Sequence, residues 1–197
     1  RRIFIGTLVV LTIALINGCA NRKITRVDPS ETIDLSGRWN DSDSRLVSEE
    51  MIGDLLTSAW IPRYLKANDK RPVVVVGLVE NKSHEHINSE TFIKDVEKAI
   101  IRDGNIRLVV AGEKRNELRK ERAEQQDYAS PETTKKWGKE LGADFILQGT
   151  INSIVDSYKK QKVVTYQIDL QLTNIETNEV VWMGDKKIKK QISDRVL

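Results

Sequence analysis

Two histidines, His84 and His86, carry the side chains best suited to acid–base or metal chemistry, and they are the only imidazoles in the chain. They lie in the polar segment 81–88, where alternate side chains of an extended backbone point the same way. Two imidazoles can begin a metal site, but the only cysteine is at position 19 and the sequence places no third ligand beside them. Zinc sites take three or four protein ligands. We therefore expect no metal here.

The sequence also lacks the residue patterns that other kinds of enzyme need. A nucleophilic serine needs a base, yet both histidines share one short segment and no GxSxG sequence occurs in the chain. Gly138, Gly142 and Gly149 fit neither GxxxxGK[ST] nor GxGxxG, so no phosphate-binding loop is indicated. Glu49 and Glu50 are adjacent and would point apart on a helix. These absences predict a protein that is not an enzyme and that has no catalytic residues and no cofactor.

Cys19 follows a segment with the layout of a secretory signal. Arg1 and Arg2 precede the apolar run 3–16, which is shorter than the ~20 residues that a membrane-spanning helix needs. The run ends in LINGC at 15–19, which resembles a bacterial lipobox. That resemblance implies cleavage before the cysteine and lipid attachment to it, so the chain would be anchored to a membrane through this lipid. The alternatives are a plain signal-anchor helix and twin-arginine export, and ordinary secretion is favoured over both.

The residues after Cys19 predict where the anchor lies and how far the domain can move from it. In a two-membrane bacterium, Ala20 in place of an aspartate implies the outer membrane, with the protein facing the periplasm. Residues 20–42 hold few clustered apolar side chains and predict a flexible tether, whose ~23 residues would average ~25–30 Å as a coil. The predicted organisation is a signal peptide at 1–18, a lipidated cysteine and tether at 19–42, and one globular domain at 43–197.

The charge balance argues against nucleic acid as a partner. The formal net charge of +3 includes Arg1 and Arg2, so the exported part is close to neutral. A near-neutral domain has no electrostatic attraction for a phosphate backbone.

Hydrophobic patterning predicts an α+β domain with a small mixed β-sheet packed with helices. A helix is expected from Asp43 or Ser44 until Trp60 and Pro62 interrupt it. The continuous β-branched run 72–79 predicts a strand that is buried on both faces and central in the sheet. The face predicted for the helix consists of Leu46, Val47, Met51, Leu55 and Leu56.

The rest of the chain predicts further helices and a meander. A helix from Ser89 to Gly104 is followed by a short strand at 106–110. The charged segment 113–126 predicts a surface helix, and 131–142 predicts a helix that buries Trp137 and Leu141. Apolar and polar residues then alternate through three strands, which predicts a C-terminal antiparallel meander with one face covered by helices.

Two segments supply candidate contacts for a partner protein, the loop at 81–88 and the charged helix. Loops between a sheet and a helix often display recognition surfaces. The alternatives are that the loop simply caps the next helix at Asn88 or Ser89, and that the charged helix is only a solvated face. The candidate residues are Asn81, Lys82, Glu85 and His86 in the loop, and Arg119, Arg122, Gln126 and Tyr128 in and after the charged helix.

Four segments together resemble one family, the LpoB-like penicillin-binding-protein activator lipoproteins. They are IDLSGRWNDSDS at 33–44, VGLVENKS at 76–83 with INSE at 87–90, LGADFILQG at 141–149 and LTNIETNEVVW at 172–182. The likeness covers about residues 33–190. The LGAD sequence alone is weak evidence for this family, since it also resembles sequences of other envelope lipoproteins. The SGRWND and IETNE sequences together in one lipoprotein are much more specific evidence.

The resemblance implies a domain similar to the N-terminal domain of the TolB translocation protein. It also implies a regulator in the outer membrane that binds a bifunctional peptidoglycan synthase and stimulates its glycan polymerisation and crosslinking. The long proline-rich tether of the family is not matched here, because residues 20–42 contain only Pro29.

Two other functions compete with this interpretation. The first is a structural or secretion-associated envelope lipoprotein that self-assembles, which predicts an exposed apolar patch or an insertable strand. The second is an envelope hydrolase, for which the sequence offers no catalytic constellation.

Overall fold

The computed structural model describes residues 24–134 and 140–193, and the residues from Thr32 onward form one compact unit. Cys19 and Trp137 lie outside the described residues. In the described part of the chain, no helix is both long enough and apolar enough to cross a membrane. The described elements are helices α1 (Asp41–Thr57), α2 (Trp60–Asn68), α3 (Ser89–Asp103) and α4 (Gly112–Tyr128), and strands β1 (Val73–Asn81), β2 (Arg107–Val109), β3 (Phe145–Tyr158), β4 (Gln161–Asn174) and β5 (Val180–Ser193).

The five strands form one mixed sheet in the order β2-β1-β3-β4-β5. Strand β1 pairs in parallel with both β2 and β3, whereas β3, β4 and β5 are joined as antiparallel neighbours. This arrangement confirms the predicted α+β class, the mixed sheet and the C-terminal meander. It also confirms that the β-branched run forms an inner strand, since β1 has a neighbour on each side.

Helices cover one face of the sheet, and the other face is largely polar in the meander, whereas the start of β1 is buried on both faces. Ile52 and Leu55 of α1 and Phe92 and Ile100 of α3 join the core against inward side chains such as Leu170 of β4. The core-facing residues of β4 are fully buried at alternate positions, as the period of two predicts. On the opposite face, polar residues such as Gln167, Asp169 and Gln171 are half-buried.

The start of α1 differs from the predicted one. Asn40 is the N-cap, and Asp43 sits three residues later with its carboxylate accepting from the Asn40 backbone N–H, which completes a capping box. The helix therefore begins at Asp41, two residues before the expected start. Leu46, expected on the buried face, is 53% exposed. Trp60 and Pro62 do not simply interrupt a helix; they open α2, whose first turn tolerates a proline.

The antiparallel strands β3, β4 and β5 extend well beyond β1 and β2. Strand β1 ends at Asn81, which pairs with Ile151, but β3 continues to Tyr158 and β4 starts at Gln161. Strand β5 follows this extension to Ser193. We call residues 154–163 the hairpin tip.

The helix expected at 131–142 is not found where the chain is described. Residues 131–133 form a turn, and 140–143 have no regular structure. Leu141, expected to be buried, is 44% exposed. The surface helix expected at 113–126 is confirmed, since α4 has no buried residue.

A glycine at the centre of the meander yields a stability prediction. A Cβ on Gly149 would lie 2.2 Å from the Asp169 carbonyl oxygen and 2.6 Å from Leu170 Cδ2. Gly149→Ala should therefore force β3 and β4 apart and lower the free energy of unfolding by about 1–3 kcal/mol. The measurement is urea denaturation followed by circular dichroism.

The matched control is Gly53→Ala at an exposed position of α1, where an added Cβ meets nothing within 4 Å. This change should raise stability by about 0.5–1 kcal/mol, because alanine loses less backbone entropy in a helix. Equal stability of the Gly149→Ala and wild-type proteins would show that the strands are not packed as closely as described.

Candidate partner-binding surfaces

The loop between β1 and α3 is held in shape by Asn81. Its side-chain amide donates to the Glu85 carbonyl at 2.8 Å, and its Oδ1 accepts from the Ser83 backbone and hydroxyl at 3.0 and 2.7 Å. The Lys82 backbone N–H continues the pairing with β3 by donating to the Ile151 carbonyl. Asn81 is therefore placed as an internal support of the loop.

Glu85 points into the protein. Its carboxylate accepts from the Trp39 backbone N–H at 3.1 Å, its other oxygen lies 3.4 Å from His84 Nε2, and its side chain is only 12% exposed. His84 Nδ1 in turn lies 2.6 Å from the Ser153 hydroxyl. These contacts connect the loop to β3 and to the segment before α1, which leaves Lys82 and His86 as the exposed members of the predicted loop set.

Tyr166 of β4 lies under this loop and is fully buried. The Trp39 ring meets it edge-on with centroids 5.5 Å apart, and the His84 ring stacks on it at 6.4 Å. Burial raises the pKa of Tyr166, and the neighbouring Glu85 carboxylate raises it further. The phenol therefore stays neutral at any physiological pH, and the cluster is suited to packing rather than to proton transfer.

Lys190 of β5 holds the segment before α1 against the sheet. Its ammonium lies 2.6 Å from Asp43 Oδ2, 2.7 Å from Asp34 Oδ1 and 3.0 Å from the Arg38 carbonyl, with 10% of the side chain exposed. Burial alone would lower the pKa of Lys190, but the two carboxylates outweigh it and the net pKa is raised. The hydrogen bond from Lys190 lowers the pKa of Asp34.

These contacts make residues 34–40 a strap across the inner face of the extended meander. Gly37 has φ +68°, and a Cβ there would lie 2.4 Å from Ile192 of β5, so only glycine allows this close approach. Asn40 closes the strap by donating to Asp34 at 2.6 Å. The second half of the predicted tether thus contacts the domain.

The second predicted set lies on α4. Arg119 makes two hydrogen bonds of 2.9 Å to the Glu140 carboxylate, and Arg122 adds a third of 3.1 Å. The Arg119 hydrogen bond is the main cause that lowers the pKa of Glu140 to about 2. Tyr128, at the end of α4, is 87% exposed, and Gln126 is exposed two residues before it.

The structure does not bring the two sets together in one site. The loop follows the C-terminal end of β1, whereas Glu140 leads into Asp144, whose carboxylate accepts from the backbone N–H of Val73 at the N-terminal end of β1. The two sets are therefore associated with opposite ends of the central strands. Any single flat partner would contact one set or the other.

A cavity of about 340 Å³ lies at the N-terminal end of β1, where sequence analysis placed no site. Tyr64 donates to Asp144 at 2.7 Å, and Lys70 lies 3.6 Å from the same carboxylate. These bonds join α2 to the sheet, so the conspicuous LGAD sequence has a structural role here. In the described residues, no group of three or more His, Cys, Asp or Glu side chains is arranged to hold a metal ion.

A comparison with protein-family models shows which family the chain belongs to. The family model described as "Peptidoglycan-synthase activator LpoB" matches residues 43–188, which extend from α1 into β5. The chain belongs to the LpoB family. The LpoB family consists of regulators of an enzyme, which confirms the expectation of a non-enzymatic protein. The family resemblance predicted from the four sequence segments is also confirmed.

Solved structures give LpoB domains as similar folds. The LpoB C-terminal domain from Escherichia coli is 19% identical, with 77% of this chain and 99% of that chain covered and a TM-score of 0.42. The corresponding domain from Salmonella enterica is 16% identical, with 74% and 98% covered and a TM-score of 0.40. A lipoprotein from Neisseria meningitidis is 15% identical, with 61% and 83% covered and a TM-score of 0.38. No curated protein sequence matches the chain.

The buried position of Lys190 predicts a large effect of its removal. Lys190→Met keeps the length of the side chain but leaves Asp43 without its cation, and Asp43 is buried. The free energy of unfolding should fall by about 3 kcal/mol, as it does when one partner of a buried ion pair is lost. Lys189→Met on the opposite, exposed face should change it by less than about 0.5 kcal/mol. Equal effects in urea denaturation would contradict the inward orientation of Lys190.

Arg119 and Arg122 together form a clamp on the Glu140 carboxylate, and this clamp predicts how the Glu140 carboxyl group titrates. Its pKa in the folded protein, about 2, is below the ordinary value of 4.5, so the clamp contributes stability above pH 4.5 and loses it as the pH falls towards 2. Arg119→Ala should raise this pKa, whereas Lys120→Ala, which removes a 3.9 Å contact with Glu124, should not. NMR titration of the Glu140 carboxyl carbon measures both, and an unchanged value in Arg119→Ala would show that the clamp does not form in solution.

Proposed function

We propose that the chain is an envelope lipoprotein that binds a bifunctional peptidoglycan synthase, a class A penicillin-binding protein, and activates it. The observation that carries the proposal is the family match over 43–188, which begins in the first turn of α1 and includes the other described helices and most of the sheet. The protein acts without catalytic groups of its own. It regulates cell-wall synthesis by stimulating the glycan polymerisation and peptide crosslinking of its partner.

Activation of this kind is differential binding. A regulator that binds the more active conformation of the synthase more tightly than the less active one shifts the population towards the active form. The shift is limited by the ratio of the two affinities, and the reciprocal effect is that substrates favouring the active form tighten binding of the regulator. A rigid sheet with clamped helices is suited to this task, because it offers the same surface to both conformations.

The anchor in this proposal is a lipid on Cys19, in the outer membrane, with the domain facing the periplasm. Since residues 34–40 bind to the sheet through Lys190, Gly37 and Trp39, only residues 20–33 remain as a tether. Such a tether spans ~50 Å at full extension and averages ~20 Å as a flexible coil. The synthase must therefore extend most of the way towards this membrane.

Helix α4 is the surface we assign to the synthase. None of its side chains is buried, so core packing does not explain why a long helix is kept there. Arg119 and Arg122 are held in fixed directions by Glu140, and Tyr128 is exposed at the C-terminal end of the same helix. Pre-oriented arginines and an exposed tyrosine are the side chains that most often dominate the binding energy of an interface.

Self-assembly through the sheet is the competing function, and the charge of its edge opposes it. Strand β5 forms one edge of the sheet and carries Lys186, Lys187, Lys189 and Lys190. Pairing two such edges would bring lysines together, and lysine on an edge strand is a common protection against association.

The proposal predicts that the full-length protein in detergent accelerates glycan polymerisation by a purified class A synthase on lipid-linked precursor. Tyr128→Ala should raise the concentration needed for half-maximal activation at least ~10-fold, which corresponds to the loss of ~1.4 kcal/mol of binding energy. Met183→Ala, which removes an exposed side chain from the polar face of the sheet, should leave activation unchanged.

The possible outcomes test the activator function and the α4 contact surface separately. No acceleration by the wild-type protein would refute the activator proposal. Acceleration that is lost in His86→Ala and kept in Tyr128→Ala would retain the function and move the contact surface from α4 to the β1–α3 loop.

A further inference from the structure

The hairpin tip carries exposed apolar side chains that no part of the described domain covers. Ile154 is 70% exposed and Tyr158 is 71% exposed, and both lie on the side of the sheet opposite the helices. Val163 pairs with Asp156 between them and is half-buried. The core ends near Val164 and Ile192, and neither Ile154 nor Tyr158 belongs to it.

Lysines lie around the hairpin tip, with Lys162 on the side of the sheet opposite to Ile154 and Tyr158. Lys159 and Lys160 form the turn, Lys162 follows on β4, and Lys189 pairs with Thr165 in the same row as Ile154. The Lys159 ammonium lies 5.3 Å from the centre of the Tyr158 ring. Asp156 is the only acid among residues 154–163. The tip is therefore strongly basic, although the exported part of the chain is close to neutral.

The strap brings the tether to this same end of the domain. Asp34 binds Lys190, Lys190 pairs with Val164, and Val164 pairs with Val155, which is three residues from Tyr158. The chain therefore enters the domain beside the hairpin extension. A short tether that starts here keeps the tip close to whatever surface holds the anchor.

We propose that the hairpin tip binds the anionic phospholipid headgroups of the membrane that carries the protein. The lysines pair with headgroup phosphates, and Tyr158 and Ile154 enter the interfacial layer, where amphipathic aromatic rings are favoured. The contact between the tip and the headgroups is weak by itself. The tether holds the tip at a high effective concentration near the membrane, so this weak contact is enough to keep the tip bound. The lipid anchor is the one part of this inference that rests on the proposed function.

The shape of the tip favours a lipid surface over a protein. A turn of two residues with projecting side chains is convex and offers no groove, whereas the 340 Å³ cavity lies at the opposite end of the sheet. A convex basic tip with a few apolar side chains fits a planar, anionic and deformable partner. Binding there would orient the domain, with the cavity end of the sheet directed away from the membrane.

The test places a fluorescent dye at the tip of the full-length protein. If Cys19 carries lipid, then Gln161→Cys provides the one free thiol, beside Tyr158 across the hairpin. The thiol is labelled with an environment-sensitive dye, and the protein is mixed with vesicles of phosphatidylethanolamine containing either phosphatidylglycerol or phosphatidylcholine. Glu176→Cys, at the other end of the sheet, is the control position.

We expect the dye at position 161 to shift to shorter wavelength and brighten at least ~2-fold with phosphatidylglycerol vesicles, and to return towards its original emission at high salt. The neutral vesicles and the control position should give no such change, and Lys159→Glu with Lys160→Glu should abolish it. Equal responses at positions 161 and 176, or equal responses to both vesicles, would overturn the proposal.

Two further outcomes would also overturn it and would name another partner. A response only on addition of the purified synthase would assign the tip to an acidic protein surface, and a response to protein concentration without vesicles would assign it to a second copy of the chain. Flotation of the same samples in a density gradient tests the anchor separately. Failure of the anchor and failure of the tip contact are thus measured independently.

Discussion

The structure depends on one buried cation. Lys190 comes from the last strand, and its ammonium is shared by Asp43 in the first turn of α1 and Asp34 in the strap. Removing a charge from water is unfavourable unless partners compensate it, so this lysine requires both segments to be in place. Asp43 also caps α1 through the Asn40 backbone. One side chain thus links the start of the domain to its last strand and fixes the point at which the tether enters.

That point of entry gives the domain two structurally different ends, to which we assign different roles. The strap, the β1–α3 loop and the extended hairpin gather at one end, and the α4 clamp on Glu140 leads towards the other. At the first end, Glu85, His84 and Tyr166 are occupied in holding the strap, which explains why few of the loop's polar groups remain for a partner. On α4, Arg119 and Arg122 bind Glu140, and Tyr128 is exposed. A tethered activator needs this separation, since it must hold a membrane and reach a partner at the same time.

Much of the fold could be predicted because it follows from local rules. The run at 72–79 and the alternation in β4 identify an inner strand and the meander, and Asn88 with Gly104 brackets α3. The inward turn of Glu85 could not be predicted, because its partner Trp39 is 46 residues away. Lys190 did leave a signal: it has the same parity as Ile188 and Ile192 in β5, so period-two alternation places it inward. The strap resembled a tether because it has few apolar residues and is held by Gly37 and by ion pairs.

The central claim is that α4 is the surface that binds a class A synthase. Amide hydrogen exchange of the full-length protein, alone and saturated with the purified synthase in detergent, tests it most directly. Binding through α4 should slow exchange in residues 112–128 and leave exchange in the hairpin at 154–163 unchanged, because detergent removes the membrane surface. Protection confined to the hairpin or to the loop at 82–88, with α4 unaffected, would contradict it.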